Sequence, residues 1–260
     1  ELKYFHYEYT IRELENWFME IINSYRRWAD FQYEWQSLRQ QSVRQLVFPF
    51  PYREGQKELV TYVYQTIYHR KKLFIEAPTG VGKTISTVFP SIKAMGEGKG
   101  QRIFYLTAKT ITRTVANDTL ELLRKQMLRL KSVALTAKDK ICFMEETECN
   151  PVDCPYAKGH FDRINDAIYD LLIHEDNFSR EKIEEYAARH KVCPFEMSLD
   201  MSLFADMIIC DYNYLFDPHV YLKRFFSEGV REDYIFLIDE AHNLVDRMTE
   251  IGRASCRERV

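Results

Sequence analysis

The sequence predicts an α/β fold in which a parallel sheet is covered by helices on both faces. Short, continuous apolar runs alternate along the chain with segments of helical periodicity. Strands of this composition are typical of a parallel sheet, because helices bury both of its faces. The expected strands are Lys72–Glu76, Arg102–Thr107, Val133–Thr136, Met207–Cys210 and Tyr234–Ile238.

The composition indicates a chain with a substantial core and a charged surface. Hydrophobic residues make up 46% and charged residues 29% of the 260 positions, and the formal net charge is −3. No apolar run approaches the ~20 residues that cross a bilayer, and no signal peptide opens the chain. We therefore expect a cytoplasmic protein without a membrane partner, whose cysteines are thiols or metal ligands rather than disulfides.

The N-terminal part precedes this alternating pattern. Residues 1–9 alternate loosely and predict a strand, and helical periodicity then runs from Thr10 to about Gln45. Thr10 is a plausible N-cap with Glu13 as its capping-box partner, and a second helix is expected over Phe31–Leu46. Three tryptophans of this region are predicted to lie in the core: Trp17, Trp28 and Trp35.

The Pro-rich stretch from Phe48 to Pro51 predicts a rigid linker and a domain boundary. Beyond it, helical patterns alternate with the expected strands. The predicted helices are Gln56–Tyr68, Ile85–Ala94 and Ile111–Leu130.

A glycine-containing turn between a predicted strand and a predicted helix is the strongest chemical signal in the chain. Gly80 and Gly82 allow backbone N–H groups to turn toward an anion, and the helix N-terminus adds its positive dipole end. Lys83 can reach the β- and γ-phosphates, and the Thr84 hydroxyl can ligate Mg²⁺. The predicted ATP-binding residues are Ala77, Pro78, Thr79, Gly80, Val81, Gly82, Lys83 and Thr84.

An acidic motif, Asp-Glu-Ala-His, follows the apolar run Tyr234–Ile238. The C-terminal end of a buried parallel strand lies at the ligand-binding edge of the sheet. Asp239 is therefore expected to hold Mg²⁺ opposite Thr84, and Glu240 to orient and deprotonate the water that attacks the γ-phosphate. His242 is expected to sense the nucleotide.

Four cysteines lie between these two motifs, at about residues 137–203. Cys142, Cys149 and Cys154 are separated by six and four residues, and Cys193 lies far downstream. The Cys-x-x-Cys pairs of most structural zinc sites are absent. Four thiolates gathered by an irregular loop suit a [4Fe–4S] cluster, although zinc and unrelated reduced cysteines remain open. Cys210 is interpreted as a core residue.

Together these motifs resemble the XPD/DinG-type superfamily 2 iron–sulfur DNA helicases. Ala77 stands where a strict phosphate-binding loop has its first glycine, a departure shared with helicase-type ATPases. Tyr52–Gln56 resembles the family's entry motif, Tyr105–Thr110 its motif Ia, and Cys193–Glu196 its last cluster ligand. The resemblance covers roughly residues 47–250.

The resemblance implies a RecA-like P-loop sheet with an inserted cysteine-rich helical subdomain and an N-terminal helical extension. It places Arg53 and Gln56 near the adenine, motif Ia against single-stranded DNA, and Cys142, Cys149, Cys154 and Cys193 on the cluster. The implied activity is ATP-driven 5′→3′ translocation and unwinding of forked duplex DNA, with a role in repair. The implied parts are a motor lobe at 47–136 and 204–250, a cluster insert at 137–203, and a second lobe after residue 250.

Residues 1–46 are interpreted as a helical connector from an upstream nuclease-like domain. Residues 251–260 read like translated sequencing-adapter DNA, and we expect them to be an artefact that the nucleotide sequence would reveal. Two alternatives to the helicase remain open. One is a zinc-stabilised nucleic-acid-binding ATPase that remodels complexes without unwinding, and the other is a scaffold with a decayed nucleotide pocket.

Overall fold

The computed structural model describes residues 3–78, 80–146, 148–227 and 232–257. Within these residues the strands form one parallel sheet of five, in the order β3-β2-β4-β1-β5. The predicted fold, a parallel sheet with helices on both faces, is confirmed. The strands are β1 (Arg102–Leu106), β2 (Ser132–Ala134), β3 (Asn177–Phe178), β4 (Met207–Cys210) and β5 (Tyr234–Ile238).

Helices occupy most of the remaining described chain. The first is a continuous helix of 35 residues, and most of the others are between four and fifteen residues long. The α-helices are α1 (Ile11–Gln45), α2 (Gln56–Tyr68), α3 (Lys83–Gly96), α4 (Thr110–Arg124), α5 (Lys138–Ile141), α6 (His160–His174), α7 (Arg180–His190), α8 (Pro194–Met201), α9 (Asn213–Phe216), α10 (Lys223–Phe226) and α11 (Leu244–Arg257).

Alternation along β1, an interior strand of the sheet, sends side chains into two cores. Ile103 and Tyr105 pack with α3 and α4 on one face, and Phe104 and Leu106 pack with α6, α7 and α8 on the other. This is the period of two that a strand imposes. The helices that carry the cysteine-rich stretch thus form one layer of the sheet's own core, and β3, which lies in that stretch, pairs with β2.

Helix α1 is tied to the rest of the molecule along its C-terminal half. Asp206, which is 4% exposed just before β4, accepts hydrogen bonds from the Trp35 indole at 3.3 Å, from Arg39, and from the backbone N–H of Lys131 at 2.9 Å. At the C-terminal end of α1, the Lys93 ammonium of α3 donates hydrogen bonds to three backbone carbonyls, 3.0–3.2 Å away. Such a cation satisfies carbonyls that a helix end leaves unpaired.

Helix α1 also contacts α6. The Trp28 ring lies edge-on to Tyr169, with ring centroids 5.0 Å apart, and Arg27 donates to Asp166 at 3.0 Å. The N-terminal half of α1, by contrast, exposes its apolar side chains to solvent. Trp17, at 59% exposure, is not a core residue as predicted, whereas Trp35 is buried and Trp28 is half-buried.

Several predicted elements differ from the structure. The predicted break near Phe31 is wrong, because α1 runs unbroken to Gln45, and the capping box between Thr10 and Glu13 is confirmed. Residues 3–9 form no strand, and Glu1 and Leu2 lie outside the described residues. Helix α4 ends at Arg124 instead of Leu130, since Met127 adopts a positive φ of 66°.

The predicted strand Lys72–Glu76 is the main error. These residues are extended coil outside the sheet, and Phe74 is 91% exposed. Period and composition identify an apolar run, but only a hydrogen-bonded neighbour makes it a strand. In the part of the chain that the structure describes, β5 pairs with β1 alone, and its Phe236 is 41% exposed.

Candidate nucleotide-binding site

The glycine-containing loop adopts the backbone that its sequence predicts. Gly80 and Gly82 have φ values of +89° and +74°, in the left-handed region that favours glycine. A Cβ at Gly82 would stand 2.8 Å from the Gln56 amide nitrogen, so this position also lacks room for a side chain. Lys83 then begins α3, whose first N–H groups are the unpaired donors of a helix N-terminus.

One residue just before α2 and one at its first position donate hydrogen bonds to carbonyls of the loop and hold it in place. Gln56, 4% exposed, donates from its amide to the Val81 carbonyl at 2.9 Å and accepts the Arg53 backbone N–H at 3.1 Å. The Arg53 guanidinium donates to the Gly80 carbonyl. Arg53 and Gln56, which were predicted to lie near the adenine, thus contact the glycine-containing loop itself.

The Lys83 ammonium lies over the loop, where it donates to the Ala77 carbonyl at 3.2 Å. Thr79, also predicted to bind ATP, lies outside the described residues. A cavity of about 370 Å³ opens beside the loop, between α2 and the extended segment. Its lining includes four of the predicted site residues: Gln56, Ala77, Pro78 and Val81.

The acidic motif follows β5 at the same edge of the sheet. The Asp239 backbone N–H donates to the Leu106 carbonyl at 2.9 Å, which continues the pairing of β5 with β1. The Asp239 carboxylate accepts the Glu240 N–H at 3.0 Å. Glu240 has a φ of +53°, a rare conformation for a residue with a side chain. His242, exposed, lies 3.4 Å from the Glu240 carboxylate.

Tyr105 brings the two motifs together. Its hydroxyl, at the C-terminal end of β1, donates to the Asp239 carboxylate at 2.9 Å, and the Thr84 side chain lies near the same hydroxyl. Burial raises the pKa of Tyr105 well above its ordinary value, and the Asp239 carboxylate adds to this rise. Thr84 and Asp239, the two predicted Mg²⁺ ligands, therefore approach one side chain.

Sequence reasoning assigned Tyr105 to a DNA-contacting motif and missed this role. It also missed Tyr212, whose hydroxyl donates to the Asp239 carbonyl and, at 3.3 Å, to the Glu240 carbonyl. Burial raises the pKa of Tyr212 to about 12. The sequence carries no signal for these roles. Tyr105 lies 134 positions and Tyr212 lies 27 positions before Asp239 along the chain, and nothing in an apolar strand singles out a tyrosine hydroxyl.

The four predicted cluster cysteines differ in exposure and in surroundings. Cys154 is buried, Cys142 and Cys193 are half-buried, and Cys149 is exposed. Cys149 and Cys193 are near enough to influence each other electrostatically, and the Lys138 ammonium contacts the Cys149 side chain. Within the described ranges, no three His, Cys, Asp or Glu side chains are grouped as a metal site.

Cys193 stands at the N-cap of α8, directly before Pro194. Burial raises the pKa of its thiol, while the nearby Glu196 and Phe195 backbone N–H groups act in the opposite direction. Its own N–H donates to the His160 ring at 3.2 Å. Donors aimed at a sulfur are a feature of thiolates that bind iron–sulfur clusters, so the surroundings of Cys193 fit this chemistry.

A family model described as DEAD_2 matches residues 119–259, more than half of the 260-residue chain. The chain belongs to the DEAD_2 family. A second model, described as DEAD/DEAH box helicase, matches residues 54–153. Between them the two models include the phosphate-binding loop and the acidic motif.

The relatives of this DEAD_2 chain are helicases by name. It is 25% identical over 209 residues to the ATP-dependent DNA helicase XPD of Sulfolobus acidocaldarius, covering 79% of this chain and 35% of the relative. It is 28% identical over 201 residues to a probable ATP-dependent helicase of Methanocaldococcus jannaschii, and the match covers 76% of this chain and 29% of the relative. The chain thus spans about a third of the length of these relatives.

Solved structures agree on the fold. A structure named XPD helicase superposes with a TM-score of 0.54 at 22% identity, covering 76% of this chain and 34% of the other. A structure named truncated XPD superposes with a TM-score of 0.50 at 21% identity, covering 75% of this chain and 54% of the other. The resemblance to XPD-type superfamily 2 helicases is confirmed. No helix in the described part of the chain has the length and apolar character needed to cross a membrane.

Proposed function

We propose that this chain carries the ATP-binding lobe of an ATP-dependent DNA helicase that moves 5′→3′ on single-stranded DNA, unwinds forked duplexes and acts in repair. One observation supports this most strongly: the Tyr105 hydroxyl donates to Asp239 and lies near Thr84. Two loops 155 positions apart thus face one point at the carboxyl edge of the sheet, where α/β proteins bind nucleotides.

The residues of this edge divide the work of phosphoryl transfer. Lys83 and the N-terminus of α3 bind the β- and γ-phosphates, and Thr84 and Asp239 hold Mg²⁺. Glu240 orients the attacking water and takes its proton. The 3.4 Å contact between Glu240 and His242 allows the imidazole to respond to events at the γ-phosphate. The cavity beside Gln56 and Pro78 accommodates the adenine, and Arg53 contacts the adjoining loop at the Gly80 carbonyl.

The four predicted thiolates, Cys142, Cys149, Cys154 and Cys193, hold a [4Fe–4S] cluster in this proposal. The cluster would serve as a rigid structural centre for the loop between β2 and α6. The Phe143 and Tyr156 rings, 4.9 Å apart, connect the segments that contain Cys142 and Cys154. Lys138 packs near both the Cys149 thiol and the Phe195 ring, which connects the other two segments.

Basic and aromatic side chains around the insert suit contact with a single strand, since phosphates and stacked bases require both residue types. We assign residues 47–136 and 204–250 to the motor lobe, 137–203 to the insert that separates the duplex, and 1–46 to a connector. A second lobe completes the ATP site in the whole protein. The basic and aromatic residues proposed for this contact are Lys138, Lys140, Phe143, Tyr156, Lys158, His160, Phe161 and Arg163, of which His160 is buried in this structure.

The test uses the complete reading frame that contains this chain. Purified protein is assayed for DNA-stimulated ATP hydrolysis and for unwinding of duplexes with a 5′ or a 3′ single-stranded overhang. We expect unwinding only from the 5′ overhang, lost in Lys83→Ala and retained in the exposed-lysine control Lys125→Ala. ATP hydrolysis without unwinding would favour the zinc-stabilised remodeller, and indifference to Lys83→Ala would favour a scaffold.

A further inference from the structure

Tyr105 stands at an unusual place for a tyrosine. It is 2% exposed, in an interior strand of the sheet, with Ile209 of β4 and Leu237 of β5 as its register partners. Its ring packs in the core beneath α3, and its hydroxyl alone reaches the edge where the phosphate-binding loop and the acidic motif meet. Phenylalanine would satisfy this packing equally well, so the packing does not account for the hydroxyl.

The hydrogen-bond inventory of a hydroxyl fixes the direction of its contacts. A tyrosine hydroxyl has one proton to donate and lone pairs to accept with. Its proton goes to Asp239, because a carboxylate can only accept. Any hydrogen bond with the nearby Thr84 side chain must then run the other way, from the Thr84 hydroxyl to the Tyr105 oxygen.

This direction determines what Thr84 and Asp239 offer to a cation. A Thr84 hydroxyl that points its proton at Tyr105 turns its own lone pairs away from that ring. One Asp239 oxygen accepts from Tyr105 at 2.9 Å and the other accepts from the Glu240 N–H at 3.0 Å, which fixes the carboxylate plane. Oxygen lone pairs held in place are what Mg²⁺ requires, because it tolerates little departure from octahedral geometry.

We propose that Tyr105 is a positioning residue of the magnesium site, one that orients the Thr84 hydroxyl and the Asp239 carboxylate together. It acts through these two side chains and touches neither nucleotide nor metal. The proposal rests on the proposed nucleotide site and adds to it a residue that determines how tightly the metal is held. Residues that support metal ligands from behind commonly set affinity in this way.

The test is equilibrium binding of a fluorescent ATP analogue to the 260-residue chain as Mg²⁺ is titrated. Tyr105→Phe keeps the ring and removes only the hydroxyl. We expect its Mg²⁺ requirement to rise about tenfold, the scale of one hydrogen bond to a charged group, while metal-free binding of the analogue stays at the wild-type level. Tyr214→Phe, which removes a buried hydroxyl that contacts only the Thr136 carbonyl, is the matched control.

A double-mutant cycle distinguishes orientation from packing. If Tyr105 acts through Thr84, then Tyr105→Phe and Thr84→Ala together raise the Mg²⁺ requirement by less than the product of their separate effects. Independent effects, or an unchanged Mg²⁺ requirement in a folded Tyr105→Phe protein, would overturn the proposal and leave the nucleotide site intact. A complete protein, with its second lobe, that binds no analogue at any Mg²⁺ concentration would overturn the proposed function, and this proposal with it.

Discussion

The Tyr212 hydroxyl donates to the backbone carbonyls of Asp239 and of Glu240, the latter 3.3 Å away, and so ties the loop after β4 to the turn after β5. Glu240 occupies a left-handed conformation in that turn, with a φ of +53°. A strained backbone of this kind persists only where its surroundings hold it. Tyr212 is such a support, positioned behind the acidic motif.

Removal of this support is predicted to weaken the turn. Tyr212→Phe should lower the free energy of unfolding by about 1–2 kcal/mol, because the part-buried carbonyls of the turn lose their donor. Urea denaturation measures the change, and Tyr33→Phe, at a side chain 80% exposed, serves as the control with an effect near zero. Equal stability of both variants would show that the hydroxyl does not hold the turn.

The attachment of α1 depends on one buried carboxylate. Asp206→Ala removes the acceptor shared by Trp35, Arg39 and the Lys131 N–H, and it leaves a guanidinium without its partner. Breaking a buried pair from one side costs about 3–5 kcal/mol, so a loss of this size is expected on urea denaturation.

An exposed aspartate of α1 provides the comparison. Asp30 pairs with Arg26 at 3.4 Å on the solvent face of the helix, and Asp30→Ala should change stability by less than about 1 kcal/mol. If Asp206→Ala behaved like Asp30→Ala, α1 would be held by its apolar contacts alone.

Acid is expected to weaken the partly buried ion pairs that Asp176 forms with Arg129 and Lys131. Burial by itself would raise the pKa of Asp176, but the hydrogen bond from Arg129 at 2.6 Å and the charge of Lys131 outweigh it, and the pKa lies below its ordinary 3.8. A carboxylate that is more acidic when folded stabilises the protein above about pH 4. This contribution is lost as the pH falls through the lowered folded value.

Thermal unfolding between pH 6 and pH 3 measures this dependence. Asp176→Asn should have a lower midpoint at pH 6 and a flatter decline toward pH 3 than the wild type, since the asparagine does not titrate. Asp30→Asn is the matched control and should keep the wild-type slope. A wild-type slope in Asp176→Asn would assign the acid sensitivity to other carboxylates.

The cysteine assignment predicts a colour. Protein prepared without oxygen should be brown, with absorbance near ~400 nm and bound iron and sulfide, as thiolate-bound iron–sulfur clusters require. Cys193→Ser should lose this absorbance, whereas Cys210→Ala, in the apolar strand β4, should keep it. Colourless protein that contains zinc would contradict the cluster and support the alternative metal.

Local patterns predicted much of this molecule. The capping box at Thr10, α2 at its full length, and strands β4 and β5 follow from periodicity and end signals that neighbouring residues carry. The turn at Gly80 and Gly82 was equally predictable, because both glycines take the positive φ values that this residue favours.

What the sequence could not supply depends on partners distant along the chain. Phe74 lies in a run with strand composition, but strand formation needs a neighbour with matching register, and the run has none among the described residues. The short strand β3 is recognisable only by its pairing with β2. Tyr105 and Tyr212 share the site because β1, β4 and β5 lie side by side, an order that no local pattern contains.

The central claim is that the loop at Lys83 and the turn at Asp239 meet around one magnesium nucleotide. Hydrogen exchange of the 260-residue chain with and without Mg²⁺ and a non-hydrolysable ATP analogue tests it directly. We predict that the analogue slows exchange in both segments together, and that Lys83→Ala abolishes both effects while Lys125→Ala retains them. Protection of one segment without the other would contradict the claim.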